Sequence, residues 1–151
     1  MTGVATALGL TDTVIDHVGI AVPDLDAAIT FHTDVLGGTL AHREQNAEQG
    51  VDEAVIAFGD GGAQIQLLAP LTPASTIATF IDKRGPGLQQ LALRVPDVDD
   101  ACARLRARGL RLLYDTPRRG TAGSRINFVH PRDAGGVLLE LVEPAASHDQ
   151  G

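Results

Sequence analysis

The ten residues Ile15–Asp24, Ile-Asp-His-Val-Gly-Ile-Ala-Val-Pro-Asp, return in weaker form 73 positions later at Leu88–Asp97, Leu-Gln-Gln-Leu-Ala-Leu-Arg-Val-Pro-Asp. Val22-Pro23-Asp24 falls on Val95-Pro96-Asp97, Asp26 on Asp99 and Ala28 on Ala101, while His17 falls on Gln90. A second echo, at an offset of 74, sets Ala63–Pro70 against Val137–Pro144 and so pairs Gln66 with Glu140. Internal duplication outranks any local pattern as a guide to architecture, because each copy must fold as the same supersecondary unit.

The unit itself is legible from its periods. Ile15–Val22 alternates, with Val18, Ile20 and Val22 on one face and His17, Gly19 and Ala21 on the other, which is the mark of a strand. Pro23 ends it and Asp24 can cap the helix that follows, whose stripe Leu25, Ala28, Ile29, His32, Leu36 stops at Gly37-Gly38. Strands are expected near Gly38–Arg43 and Glu53–Phe58 around a polar Glu44–Asp52 loop. A hairpin turn at Asp60-Gly61-Gly62 then leads to a fourth strand, Ala63–Leu68. Residues 71–87 read as a connector, with Ser75 or Thr76 capping a short helix through Lys83.

The plan then repeats: strand Leu88–Val95, helix Asp97–Arg108, a short strand Arg111–Tyr114, a Gly-rich loop Arg118–Ser124, and strands Arg125–Val129 and Val137–Val142. The fold class expected is α+β, with two paired βαβββ modules (14–70 and 88–144) forming an open cupped mixed sheet with helices on its outer face. Together they make one domain over 14–144, with flexible ends at 1–13 and 145–151.

Bulk composition excludes several functions. At 151 residues, with 44% apolar and 21% charged residues, the chain can bury a core without staples, and no apolar run approaches the roughly 18 residues of a membrane span. A net charge of −7 argues against nucleic acid as a partner. Its distribution is uneven: residues 1–75 hold ten acidic and one basic side chain, residues 76–151 nine acidic and eleven basic. Lys83-Arg84, Arg118-Arg119, Arg125 and Arg132 can thus receive an anionic ligand. Cys102 is the only cysteine, and its place on the second helix stripe makes it a core residue. With no basic N-terminal signal the chain is expected in a reducing cytoplasm.

The duplication also sorts the polar residues. Strand alternation puts His17 opposite Val18 and Ile20, Gln66 opposite Ile65 and Leu67, and Glu140 opposite Leu139 and Leu141; the repeat adds Gln90 to the same set. A carboxylate inside Val-Leu-Leu-Glu-Leu-Val is costly unless it is paired or bound to a cation. If the modules share one curved sheet, His17, Gln66, Gln90 and Glu140 converge as a mixed N/O site for a divalent transition ion such as cobalt, nickel, manganese or zinc. Gly19, Ala21 and Ala92 would leave open space beside it. His32, His42, His130 and His148 have no such support from the repeat, although His130 stands at a strand end.

Six stretches, Ile15–Val22, Glu48–Val51, Gln66–Leu71, Lys83–Leu88, Arg125–Pro131 and Gly135–Leu141, together resemble methylmalonyl-CoA epimerases, a family of the vicinal oxygen chelate (glyoxalase/bleomycin resistance/dioxygenase) superfamily. The resemblance implies a homodimeric enzyme that interconverts the 2R and 2S epimers of its acyl-CoA substrate with a bound divalent ion, cobalt first. It implies His17, Gln66 and Glu140 as metal ligands, and Glu53, just after Glu48-Gln-Gly-Val, as a catalytic base. Glu140 is then also the candidate acid/base for the second face, with Glu48 as the fallback base. The family's usual His-His after Gly-Leu is Gln89-Gln90 here, so the second imidazole becomes an amide, and weaker metal binding is expected. Two other readings remain: a metal-free small-molecule-binding module of the resistance type, or another metal-dependent member such as a glyoxalase-type isomerase.

Overall fold

The computed structural model describes residues 13–146; the expected lead-in and tail fall almost wholly outside them. The chain divides into two compact units. One covers Ile15–Ala92; the other takes Val14 and the chain from Leu93 onward.

β1 (Val14–Ala21), which lies in the first unit from Ile15 on, leads through Pro23 to α1 (Leu25–Thr30), whose N-cap Asp24 accepts from the Ala27 N–H at 3.1 Å. Three strands follow, β2 (Thr39–Asn46), β3 (Val51–Ala57) and β4 (Gln64–Pro70), then α2 (Thr76–Arg84) under a Ser75 cap and β5 (Gly87–Arg94). The strand order is β2-β3-β4-β1-β5, antiparallel from β2 to β4 and parallel between β4 and β1. α1 packs on β3 and β4 over Val22, Leu25, Ala54, Ile56 and Leu67, and α2 packs on β4 through Ile77 and Leu68.

In the second unit α3 (Val98–Ala107) is capped by Asp97, which accepts from the Asp100 N–H at 3.0 Å. It lies on β7 (Arg125–Val129) and β8 (Leu139–Glu143), burying Val98, Ala101, Cys102, Leu105, Val129 and Leu141. β8, β7 and the two-residue β6 (Arg118–Arg119) run antiparallel in that order.

The sequence repeat is one contact made twice. The Val22 N–H donates to the Leu68 carbonyl at 2.9 Å, and the Val95 N–H donates to the Val142 carbonyl at 2.8 Å. These are the same residues displaced by 73 and 74 positions. The fold class is α+β, and the βαβββ order of the first module is as expected.

Three expectations need correction. The long Glu44–Asp52 loop is a tight turn, because β2 runs on to Asn46, whose buried side chain accepts from the Gln49 N–H at 3.1 Å, and Gly50 takes φ +72°. The first helix ends at Thr30 and widens into a π-helical turn, Phe31–Val35. There His32 Nδ1 bonds the Ala28 carbonyl and the Thr33 hydroxyl the Ile29 carbonyl, loosening the ladder. The strand expected at Arg111–Tyr114 is reduced to a single bridge, Leu112 to Val129. The buried Asn127 amide takes both the N–H and the carbonyl of Tyr114, replacing the neighbouring ladder bonds. The short strand appears instead at Arg118–Arg119, inside the expected Gly-rich loop.

Candidate active site

The polar residues singled out on β1, β3, β4 and β5 form a continuous hydrogen-bonded line. Register sets the stage: Gly19 lies opposite Gln66 on β4, and Gln66 lies opposite Val55 on β3, two residues from Glu53, so these positions share one face. All four polar side chains on it are buried, Glu53 at 3% exposure, Gln66 at 4%, His17 at 7% and Gln90 at 9%.

The line begins at Asp16, whose carboxylate accepts from His17 Nδ1 at 2.7 Å. That contact puts the ring proton on Nδ1 and leaves the Nε2 lone pair facing inward, the way a carboxylate orients a metal-ligating imidazole. Gln90 Nε2 stands 3.3 Å from His17 Nε2 and also donates to Gln66 Oε1 at 3.3 Å. Gln66 Nε2 in turn donates to Glu53 Oε2 at 2.9 Å. A carboxylate as buried as Glu53 is expensive without such a donor. The bond also fixes which way the Gln66 amide points, so that its oxygen is turned toward Gln90.

Among the described residues no three His, Cys, Asp or Glu side chains come together as a metal-binding group. Amide oxygens must therefore complete any such site. The donor set fits a late first-row divalent ion: one imidazole nitrogen with its lone pair directed inward, one amide oxygen beside it, and a second amide that supplies an oxygen once turned over. Glu140 lies in the second unit, buried at 5% exposure on β8 opposite Phe128, on the face away from the Leu141 core. Glu48 is exposed in the turn before β3.

Three comparisons bear on what this arrangement belongs to. Residues 16–128 match the model of the Glyoxalase/Bleomycin resistance protein/Dioxygenase superfamily. The solved methylmalonyl-CoA epimerase of Mycobacterium tuberculosis is 60% identical, with a TM-score of 0.86 over 91% of this chain and 93% of that one. The mitochondrial methylmalonyl-CoA epimerase of Mus musculus is 35% identical over 84% of this chain and 71% of its own length. This chain belongs to the methylmalonyl-CoA epimerase family. A Streptomyces coelicolor member of the family, 44% identical with a TM-score of 0.85 over 87% of this chain and 97% of that one, was solved as a variant in complex with 2-nitronate-propionyl-CoA.

Within this epimerase family framework two further residues emerge that sequence reasoning passed over or misread. Asp16 was not singled out, although an Asp-His pair on a strand is a signal for an oriented imidazole. Gly19 was expected to leave open space; that space is filled, because a Cβ there would overlap Cγ of Gln90. His130 is accounted for outside the line: it caps the turn Pro131–Asp133, its Nδ1 accepting from the Arg132 N–H at 3.2 Å. Cys102 is fully buried in the second core. Burial raises its thiol pKa above the ordinary value, against a smaller lowering by its hydrogen bond with Asn127, so it is a poor nucleophile.

Proposed function

We propose that this chain interconverts (2R)- and (2S)-methylmalonyl-CoA by removing and returning the proton at C2. The observation that carries the reading is Glu53: a buried carboxylate held by the Gln66 amide, one hydrogen bond from the His17–Gln90–Gln66 cluster. The C2 proton lies between a thioester and a carboxylate. When Glu53 takes it, the C2–H bond breaks and its electron pair moves into the thioester carbonyl, giving a planar enolate. Return of a proton to the opposite face inverts the centre; Glu140 is the candidate donor there, with Glu48 as fallback.

His17, Gln66 and Gln90, with Glu140, would hold the divalent ion, cobalt first and nickel, manganese or zinc as alternatives. Such an ion supplies Lewis-acid stabilisation of the negative charge that develops on the substrate oxygens. Burial of the cluster excludes water and strengthens every electrostatic contact within it. The CoA phosphates are proposed to be met in the basic second half of the chain by Lys83, Arg84, Arg118 or Arg119.

The chain is further proposed to work as one domain over 14–144, as a homodimer in the cytoplasm. Exposed Phe31, Val35, Leu36 and Leu40 beside the edge strand β2 support a partner surface, and a lone buried cysteine suits a reducing compartment. No helix among the described residues is long and apolar enough to cross a membrane. The test is proton NMR of methylmalonyl-CoA in deuterated water with enzyme, with and without added Co²⁺. Deuterium should replace the C2 proton and the epimers should equilibrate. A substrate that is bound without exchange would mark a binding module instead.

A further inference from the structure

The orientation of one amide carries a consequence for metal loading. Gln90 presents its NH₂ group, not its oxygen, to the two inward-facing acceptors, donating to Gln66 Oε1 and facing the His17 Nε2 lone pair, each at 3.3 Å. The opposite orientation would set Gln90 Oε1 against two acceptors, which is unfavourable unless a cation lies between them. The partners cannot relieve this themselves. The Gln66 amide is fixed by its bond to Glu53, and the His17 tautomer by its bond to Asp16.

We infer that Gln90 is an internal competitor for the metal: its NH₂ closes the cluster when no ion is present, and loading an ion requires the amide to turn over and offer its oxygen. The inference rests on the metal reading above and adds to it a two-state side chain. Only an amide can do both jobs. A neutral histidine at 90, the form that can ligate a metal, could donate one N–H at most, and a carboxylate none. The apparent metal affinity of the wild type is accordingly the affinity of the open cluster reduced by the fraction of time the amide leaves it open. Gly19 makes the closed state accessible, since the Gln90 side chain lies across the space that any Cβ at 19 would occupy. Gly19 has no positive φ, so alanine is tolerated by the backbone and should displace Gln90 instead.

Calorimetric titration with Co²⁺ separates this from the simpler view that Gln90 is an ordinary ligand. Gln90→Ala removes one donor oxygen and the competitor together, and is expected to bind Co²⁺ as tightly as the wild type or more tightly. Gly19→Ala, which keeps the amide but pushes it aside, should shift affinity in the same direction. In an ¹⁵N-labelled wild type the Gln90 side-chain NH₂ signals, identified by their loss in Gln90→Ala, should shift on Zn²⁺ addition and exchange faster with water. A tenfold or greater loss of Co²⁺ affinity in Gln90→Ala, or Gln90 NH₂ signals that Zn²⁺ leaves unchanged while binding is seen, would overturn the inference and leave the metal reading standing. No heat of binding with the wild type, Gln90→Ala and Gln90→His alike would overturn the metal reading itself, and the inference with it.

Discussion

The two copies of the module share a backbone plan but divide the chemistry unequally. Register shows it: Glu53 pairs with Leu68 in the first copy, and Ile126 pairs with Val142 in the second, so the second copy carries a buried isoleucine where the first carries a buried carboxylate. Likewise Asp16 orients His17, whereas the matching Gln89 beside Gln90 has a buried Oε1 with no hydrogen-bond partner among the described residues. The second copy spends its most deeply buried polar residue on structure: Asn127, fully buried, holds Tyr114 in place. Duplication has kept the contacts that define the fold, such as the two capped helices, while the Asp16–His17 pair and the buried Glu53 occur in the first copy alone.

If that division is real, removing the oriented imidazole should have the largest effect. His17→Ala is expected to weaken Co²⁺ binding by about 100-fold or more, and Asp16→Asn, acting through ring orientation, by about 10-fold. Gln89→Leu, its counterpart, should leave affinity unchanged. Calorimetry on the three variants tests all of this, and equal effects at 16 and 89 would break the comparison.

Next in size is a structural change in the other copy. Asn127→Ala leaves both Tyr114 backbone groups without their partner and should lower unfolding free energy by about 2–3 kcal/mol in urea denaturation. Proton exchange at the substrate should persist in the fraction that stays folded.

How far the sequence foretold this contrast depends on the kind of interaction. Strand alternation and the repeat placed His17, Gln66 and Gln90 on one face, because side-chain direction follows from backbone period alone. The caps at Asp24 and Asp97 were visible for the same local reason. The shortened strand at Leu112 and the π-helical turn at Phe31–Val35 were not visible, since each arises from a side chain competing for backbone groups, Asn127 in one case and His32 with Thr33 in the other. The orientation of the Gln90 amide was equally hidden, being set by partners on two other strands.

The caps provide a smaller test of equivalence. Asp24→Ala and Asp97→Ala should each cost about 1 kcal/mol, because each removes one side-chain acceptor from a first-turn N–H. A cost confined to one of them in urea titrations would show that the copies are not equivalent in packing.

Smallest is a pH effect confined to the second unit. Arg111 hydrogen-bonds the Asp133 carboxylate through its side chain and its backbone N–H, holding the Asp133 pKa down to about 2. Since the folded value lies below the unfolded one of about 4, the stabilisation is present above pH 4 and is lost as pH falls toward 2. The melting-temperature difference between wild type and Asp133→Asn should therefore narrow across that window, while remaining constant from pH 5 to 7.

The most direct test of Glu53 as the base of the first copy is deuterium exchange at C2 of methylmalonyl-CoA, followed by proton NMR for wild type and Glu53→Gln, with metal content measured on the same samples. Glutamine can still accept from Gln66, so fold and metal content should hold while exchange falls by about 10²–10⁴-fold. Exchange at the wild-type rate in Glu53→Gln would contradict the assignment.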